Sequence, residues 1–289
     1  MLLDLETLTL SVSLLLGLGG FIVGCLAGIS GIGGGLLLVP MMVGLGMTPI
    51  QAIGTSNFAK LMISTSGSWH NWRIGNLDFQ RVAILGLPAL LSAQLGVYLA
   101  DKLPSYLLLS AFVLLMLVNI YFIGWRRKIE QREPFFKSAR PLILGRSLAG
   151  SAAGLLAGLF GVGGGIILIP LQILMLGETF EVAISTSLGV VFLSSMSACI
   201  SHSLNGNVLF LEGSLLGIAG AFGAVLGTQS VATYSGTNKL AGFKEAVKTK
   251  YITPLPNKIT AMLNKITSAI AWFVKILIDS VADGEVVPS

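Results

Sequence analysis

The chain has 289 residues, of which 54% are hydrophobic and only 11% are charged, with a net charge of +5. Soluble domains carry roughly 25% charged residues, and a soluble core could not hide this much apolar surface. The composition therefore excludes an ordinary soluble globular protein and indicates an integral membrane protein.

The N-terminal segment "MLLDLETLTL" contains no Lys or Arg, so it lacks the positive region of a secretory signal, and we predict a retained first helix. Nine apolar stretches then follow in chain order. They cover residues 8–27, 36–46, 50–69, 82–99, 106–124, 142–160, 166–176, 182–200 and 213–229. This pattern predicts an all-α membrane protein, a polytopic helical bundle that crosses the cell membrane several times.

An internal repeat divides the chain. The segment "GISGIGGGLLLVP" (28–40) matches "GLFGVGGGIILIP" (158–170), and the pair Thr55-Ser56 later matches Thr186-Ser187. We therefore expect two homologous halves. The predicted organisation is a first transmembrane repeat (1–124), a basic cytoplasmic linker (125–141), a second repeat (142–229) and a divergent polar and amphipathic tail (230–289).

Segments 36–46 and 166–176 are too short to span comfortably, since about 17–25 residues are usual. Duplicated halves with short, Gly/Pro-interrupted segments at matching positions are typical of secondary transporters. If these segments cross the membrane, the halves are inverted; if they are re-entrant, the halves are parallel and the lysines of the tail lie outside. The basic linker and the bias of Lys and Arg toward the cytoplasm favour crossing segments and inverted halves.

The glycine-rich segments first suggest a nucleotide loop, but the third glycine of a dinucleotide fingerprint and the Gly-Lys-Ser/Thr of a Walker loop are both absent. Two interpretations remain: close helix packing, or a helix break whose free backbone N–H groups bind an anion. We favour the second, because the feature occurs twice. The candidate substrate-binding glycines are Gly31, Gly33, Gly34, Gly35, Gly161, Gly163, Gly164 and Gly165.

Polar residues on the next stretch of each half are further candidates. The hydroxyl residues Thr55, Ser56, Thr186 and Ser187 match across the repeat, and they either bind substrate or bond back to their own helix. Asn57 and Lys60 occur in the first half only. Lys60 is either a lysine snorkelling from a helix end or part of an anion path, because an ionisable residue inside a membrane segment suggests function.

His70 and His202 are the two histidines, and each is either an interfacial residue or a proton-coupling group. Cys25 and Cys199 lie in apolar stretches and are interpreted as packing residues. Gln94, Gln172 and Gln229 could join helices. No catalytic set or metal-ligand cluster is visible, so we expect neither an enzyme nor a metal site nor a cofactor.

Two copies of G-x-G-G-G followed by four aliphatic residues and proline, each followed by a Thr-Ser stretch and then Gly-Asn, resemble the TauE/SafE family of sulfite-exporter-like permeases. The resemblance covers about 10–229. It implies a transporter of about eight helices for small sulfur oxyanions or organosulfonates. The expected partners are thus a small anion and the lipid bilayer, not a nucleic acid.

The C-terminal part departs from that pattern. Residues 230–260 are polar and basic, and residues 261–278 show the spacing of an amphipathic interfacial helix rather than a span. The last helix of the family is therefore missing or replaced, either in a lineage variant or through a frameshift or fusion. The sequence favours an anion permease, with a non-transporting accessory protein and an anion channel as alternatives.

Overall fold

The computed structural model describes the backbone of residues 2–129 and 139–239. Within these ranges the chain forms nine helices. They are α1 (Leu2–Ser30), α2 (Gly35–Gly44), α3 (Pro49–Arg73), α4 (Phe79–Lys102), α5 (Ser105–Ile129), α6 (Ala139–Phe160), α7 (Gly165–Leu176), α8 (Phe180–Leu204) and α9 (Phe210–Lys239). Each predicted apolar stretch corresponds to one helix, and no strand occurs in the described ranges. The amphipathic helix expected at 261–278 lies outside the described residues.

Five of the described helices contain segments long and apolar enough to cross a membrane. These segments are Ser13–Ser30, Phe79–Lys102, Ile143–Phe160, Val182–Leu204 and Phe210–Gln229. The prediction of a helical membrane bundle is thereby confirmed. The short helix α2 has 10 residues and is about 15 Å long, half the thickness of the hydrocarbon core.

The helix α3 is as long as a spanning helix, but many of its polar side chains are buried. Thr55, Ser56, Asn57, Lys60 and Ser64 all have no exposed surface. The helix begins at a capping box, in which the Thr48 hydroxyl accepts a hydrogen bond from the Gln51 N–H and the Gln51 side-chain oxygen accepts one from the Thr48 N–H. α3 is therefore an interior helix, placed where its polar groups face protein rather than lipid.

The first helix of each half packs against the last described helix or its counterpart in the other half. Helix α1 lies along α9, and its repeat counterpart α6 lies along α4. The contact is close enough that a side chain at Gly28 would lie 2.9 Å from the Thr228 backbone nitrogen, and one at Gly158 would lie 2.9 Å from the Val97 nitrogen. Small residues allow this approach of helix backbones in membranes. Each half therefore packs its first helix mainly against a helix of the other half.

The central pair of helices, α3 and α8, are counterparts in the repeat and run antiparallel. Gly67, near the end of α3, lies against Leu188 near the start of α8, and Gly54 near the start of α3 lies against His202 near the end of α8. Their polar faces meet between the two halves. This pair positions the candidate site.

One end of the bundle is held by a charge cluster. Glu178, in the turn between α7 and α8, pairs with Arg81 at the start of α4 and with Arg146 of α6, the latter at 2.8 Å. Arg81 also pairs with Asp78 at 2.9 Å. The two pairs connect α4 and α6 with the turn between α7 and α8. The Glu178 side chain is only 12% exposed, so these charge-assisted bonds are partly shielded from water.

Candidate functional site

The two glycine loops, 31–34 and 161–164, meet at the centre of the bundle. A side chain at Gly35 would fall 2.8 Å from the Val162 Cα, and one at Gly165 would fall 3.0 Å from the Ile32 Cα. The contacts are reciprocal: the end of one loop touches the start of the other. The loops therefore pass each other in opposite directions about a local two-fold relationship.

Each loop contains three glycines with positive φ, a conformation that residues with a side chain rarely adopt. The values are +70°, +83° and +79° at Gly31, Gly33 and Gly34, and +65°, +89° and +65° at Gly161, Gly163 and Gly164. The predicted breaks are therefore real interruptions between α1 and α2 and between α6 and α7. Close helix packing, the other interpretation, occurs at different glycines.

The first turns of α2 and α7 open onto this crossing. Their N-cap residues, Gly34 and Gly164, make no side-chain cap hydrogen bond. The first N–H groups of a helix have no partner within the helix, and the helix dipole adds partial positive charge at that end. At α7 the first of these groups, the Gly165 N–H, donates to the Gly163 carbonyl at 2.7 Å. The crossing is therefore a place where the positive ends of two helix dipoles meet.

Two matched serines fasten each loop to the opposite half. The Ser56 hydroxyl on α3 donates to the Gly161 carbonyl at 3.0 Å, and the Ser187 hydroxyl on α8 donates to the Gly31 carbonyl at 2.7 Å. Both hydroxyls also lie 2.8 Å from a carbonyl of their own helix. The hydroxyl protons are thus directed at protein carbonyls, and these serines shape the loops.

Lys60 lies beside the second glycine loop. Its Cδ is 3.2 Å from where a Cβ at Gly163 would stand, and its side chain has no exposed surface. The ammonium donates to the amide oxygen of Asn57 at 2.8 Å, and the Asn57 amide nitrogen donates to the Ile53 carbonyl at 3.1 Å. Among the described residues no carboxylate pairs with Lys60, and the side chain does not snorkel to a helix end.

The repeat is broken at this point. At the offset of 131, Lys60 corresponds to Val191 and Asn57 to Leu188. Val191 takes the equivalent place, because its Cγ1 lies 2.9 Å from a Cβ built at Gly33. Sequence comparison of the halves at that offset would have identified Val191 as the apolar counterpart of the lysine. Among the described residues the crossing therefore has an ionisable side chain, that of Lys60, on one side only.

The matched threonines lie away from the crossing. The Thr55 hydroxyl accepts a hydrogen bond from the Leu209 N–H at 3.0 Å, just before α9 begins. The Thr186 hydroxyl donates to the Val182 carbonyl of its own helix at 2.6 Å. Thr55 therefore joins α3 to α9, and Thr186 shows the back-bonding that was the alternative interpretation of these hydroxyls.

The two histidines have different surroundings. His202 has no exposed surface, its Nε2 lies 3.3 Å from the Gly158 carbonyl, and its Nδ1 has no partner among the described residues. His70 lines a groove on the side of the bundle. They are not repeat counterparts, since His202 corresponds to Asn71, which is also buried.

The charge cluster of Glu178 was missed at the sequence level. Glu178 and Arg81 are 97 residues apart, and Glu178 and Arg146 are 32 apart, so no local pattern marks them as partners.

No group of three or more His, Cys, Asp or Glu residues in the described part of the chain could hold a metal ion.

Comparison with known proteins agrees with this architecture. The model of the family described as "Sulfite exporter TauE/SafE" matches residues 16–243. A "Probable membrane transporter protein YunE" of Bacillus subtilis is 27% identical over 232 residues, covering 72% of this chain and 84% of its own. A probable membrane transporter protein of Methanocaldococcus jannaschii is 29% identical over 190 residues, covering 63% and 69% of the two chains.

A probable membrane transporter protein of Haemophilus influenzae is 30% identical over 207 residues, which is 68% of this chain and 76% of the relative. No solved structure matches the chain significantly. The family match covers both glycine loops and all the helices that hold them. The chain therefore belongs to the TauE/SafE family, and the relatives it matches are named as membrane transporters.

Proposed function

We propose that the protein is a carrier of the plasma membrane that moves a small anion, a sulfur oxyanion or organosulfonate such as sulfite, through the crossing of the two glycine loops. The observation that supports this most is the buried ammonium of Lys60 beside Gly163, with a neutral amide as its described partner. A buried, uncompensated charge costs several kcal/mol. An anion bound at the crossing would offset that cost.

The electrostatics fit an oxyanion with one or two negative charges. Each helix N-terminus contributes roughly half a positive charge, so the starts of α2 and α7 together with Lys60 supply about two. The serines Ser56 and Ser187 contribute by holding the loops, and the glycines by exposing backbone N–H groups.

The course of the helices supports inverted halves. α3 and α8, which are counterparts, run antiparallel, with Gly67 against Leu188 and Gly54 against His202. α1 and α3 both run parallel to α9, so α2 must return the chain toward the end at which α1 began. In this arrangement the loops cross near the middle of the membrane, and rocking of one half against the other would alternate access to the site.

His202 is the better candidate of the two histidines for proton coupling. It is buried near the end of α8, with Cys199 one turn earlier on the same helix. Asn205, three residues further along, donates to Asp101 at the end of α4. The His202 Nδ1 has no partner among the described residues, so it is available to exchange a proton. The facing group on α6 is the uncharged Gly158 carbonyl. His70 has no such position.

Flux through proteoliposomes tests the proposal. Purified protein is reconstituted, and sulfite, sulfate, thiosulfate, sulfoacetate and taurine are offered with and without an imposed pH gradient. Saturable flux of one or more sulfur anions, driven by the gradient, is the expected result. An ohmic current would indicate a channel instead, and no flux of any of them would indicate an accessory protein.

A further inference from the structure

A groove of about 800 Å³ runs between α3 and α9, apart from the loop crossing. Its floor is apolar, formed by Leu61, Met62 and Val225, and its mouth carries Trp69, His70 and Arg73. Along α3 the groove extends from Leu61 to Arg73, which is twelve helical steps or about 18 Å. That length is close to one leaflet, which is about half of a 30 Å hydrocarbon core.

The mouth has the chemistry of a membrane interface. Trp69 and Trp72 are 55% and 47% exposed, and their rings meet edge to face with centroids 5.0 Å apart. The Arg73 guanidinium lies 5.9 Å from the centre of the Trp69 ring, and no described acidic residue pairs with it. Exposed tryptophans mark the headgroup level, and basic pockets between membrane helices bind anionic headgroups.

The residues that line the groove differ from their repeat counterparts at the contact between α8 and α4. The repeat counterparts of Val225, Ser66 and His70 are Gln94, Ser197 and Ser201. There the Gln94 amide donates to the Ser197 hydroxyl at 2.8 Å and accepts from Ser201, which joins α4 and α8 directly. In the matching region between α3 and α9, Ser66 donates to the Ala221 carbonyl at 2.8 Å. The apolar Val225 stands there in place of Gln94, and it lines the groove.

We propose that this groove binds an anionic phospholipid, whose acyl chain lies along Leu61, Met62 and Val225 and whose phosphate is held by Arg73 with His70 beside it. The groove is lined by α3 and α9. α3 carries Lys60 one residue before the groove begins, and α9 packs on α1. The bound lipid bridges α3 and α9 along the groove that both helices line. Its effect is to stabilise the bundle in a lipid-dependent way.

Thermal unfolding of the full-length protein in a neutral detergent tests this assignment. Dioleoyl phosphatidylglycerol, dioleoyl phosphatidylcholine and inorganic phosphate are titrated separately. We expect phosphatidylglycerol to raise the Tm in a saturable way and the zwitterionic lipid to do so much less. Arg73→Ala should weaken the apparent affinity for phosphatidylglycerol about fivefold, whereas Arg73→Lys should keep most of it.

Two further variants keep the test independent of folding. Lys102→Ala removes a basic residue that also lies over an aromatic ring, Tyr98, at the end of α4, and should leave the lipid response unchanged. Thr65→Trp fills the groove from an exposed position and should reduce the response as Arg73→Ala does. Equal responses to the two lipids, an unchanged response in Arg73→Ala, or the same stabilisation by inorganic phosphate would overturn the proposal.

Discussion

The hydroxyl of Ser187 donates a hydrogen bond to the Gly31 carbonyl at 2.7 Å, across 156 residues of sequence. The repeat-related bond runs from the Ser56 hydroxyl of the first half to the Gly161 carbonyl of the second. Each glycine loop is therefore held by the half to which it does not belong. A change in the packing of the two halves must alter both loops together, which is what a shared binding site in a carrier requires.

Loss of this anchor should weaken the protein measurably. Ser187→Ala removes a buried donor and leaves the Gly31 carbonyl without it, so we expect about 1 kcal/mol of destabilisation together with reduced flux. Ser194→Ala is the matched control, because the Ser194 hydroxyl bonds to the Val191 carbonyl of its own helix. Thermal unfolding and proteoliposome flux check both. Equal effects of the two substitutions would contradict the anchoring role.

The positive φ of the loop glycines predicts a second result. Gly34→Leu and Gly164→Leu should abolish transport while membrane insertion remains, because φ is +79° and +65° there and the surroundings are filled. Gly46→Ala is the control. Gly46 also has a positive φ, +90°, but a Cβ there would meet nothing within 4 Å. We expect a strain of about 1–2 kcal/mol with flux retained; loss of flux in the control would mean that strain alone stops transport.

The ion cluster at the end of the bundle leads to a prediction about stability. Glu178→Gln leaves the guanidinium groups of Arg81 and Arg146 without their shared carboxylate. Removing one partner of a largely buried pair costs about 3–5 kcal/mol; solvent at the partly exposed Arg81 makes the lower end the expectation. Thermal unfolding at low and high salt measures it. A Tm equal to that of the unchanged protein would show that the cluster contributes nothing.

Substitutions of the two histidines should differ in their effect on proton coupling. His202→Asn, which copies the residue found at the counterpart position 71, should retain anion flux but lose its dependence on an imposed pH gradient. His70→Asn should keep that dependence, since His70 lies in the lateral groove. The measurement is initial flux with and without the gradient. Gradient-dependent flux in His202→Asn would rule out His202 as the coupling group.

The sequence was informative about the helices and the loops because both follow from local patterns. Apolar runs predicted nine helices, and glycines repeated at an offset of 130 predicted the two breaks, which the positive φ values at Gly31 and Gly161 confirm. The offset also matched Ser56 with Ser187. The sequence could not predict that each serine bonds the loop of the other half, because such contacts depend on how the two halves pack together.

The candidate site shows the same division. Lys60 stood out as an ionisable residue within an apolar stretch, but its complete burial depends on what packs around α3, including the second loop. Thr55 matched Thr186 in sequence, yet only Thr55 bonds across to the start of α9. A local pattern cannot distinguish these roles, because they depend on what the rest of the chain places opposite each hydroxyl.

Binding of sulfite to purified Lys60→Met and unchanged protein, followed by thermal stability as the anion concentration rises, tests the central claim most directly. An anion that binds the native state stabilises it increasingly above its dissociation constant. Replacing a buried charge by an apolar residue is often neutral or stabilising, so folding should survive, and Lys102→Met serves as the surface control. The account predicts saturable stabilisation that is lost in Lys60→Met and kept in Lys102→Met. The same affinity for sulfite in Lys60→Met and the unchanged protein would contradict it.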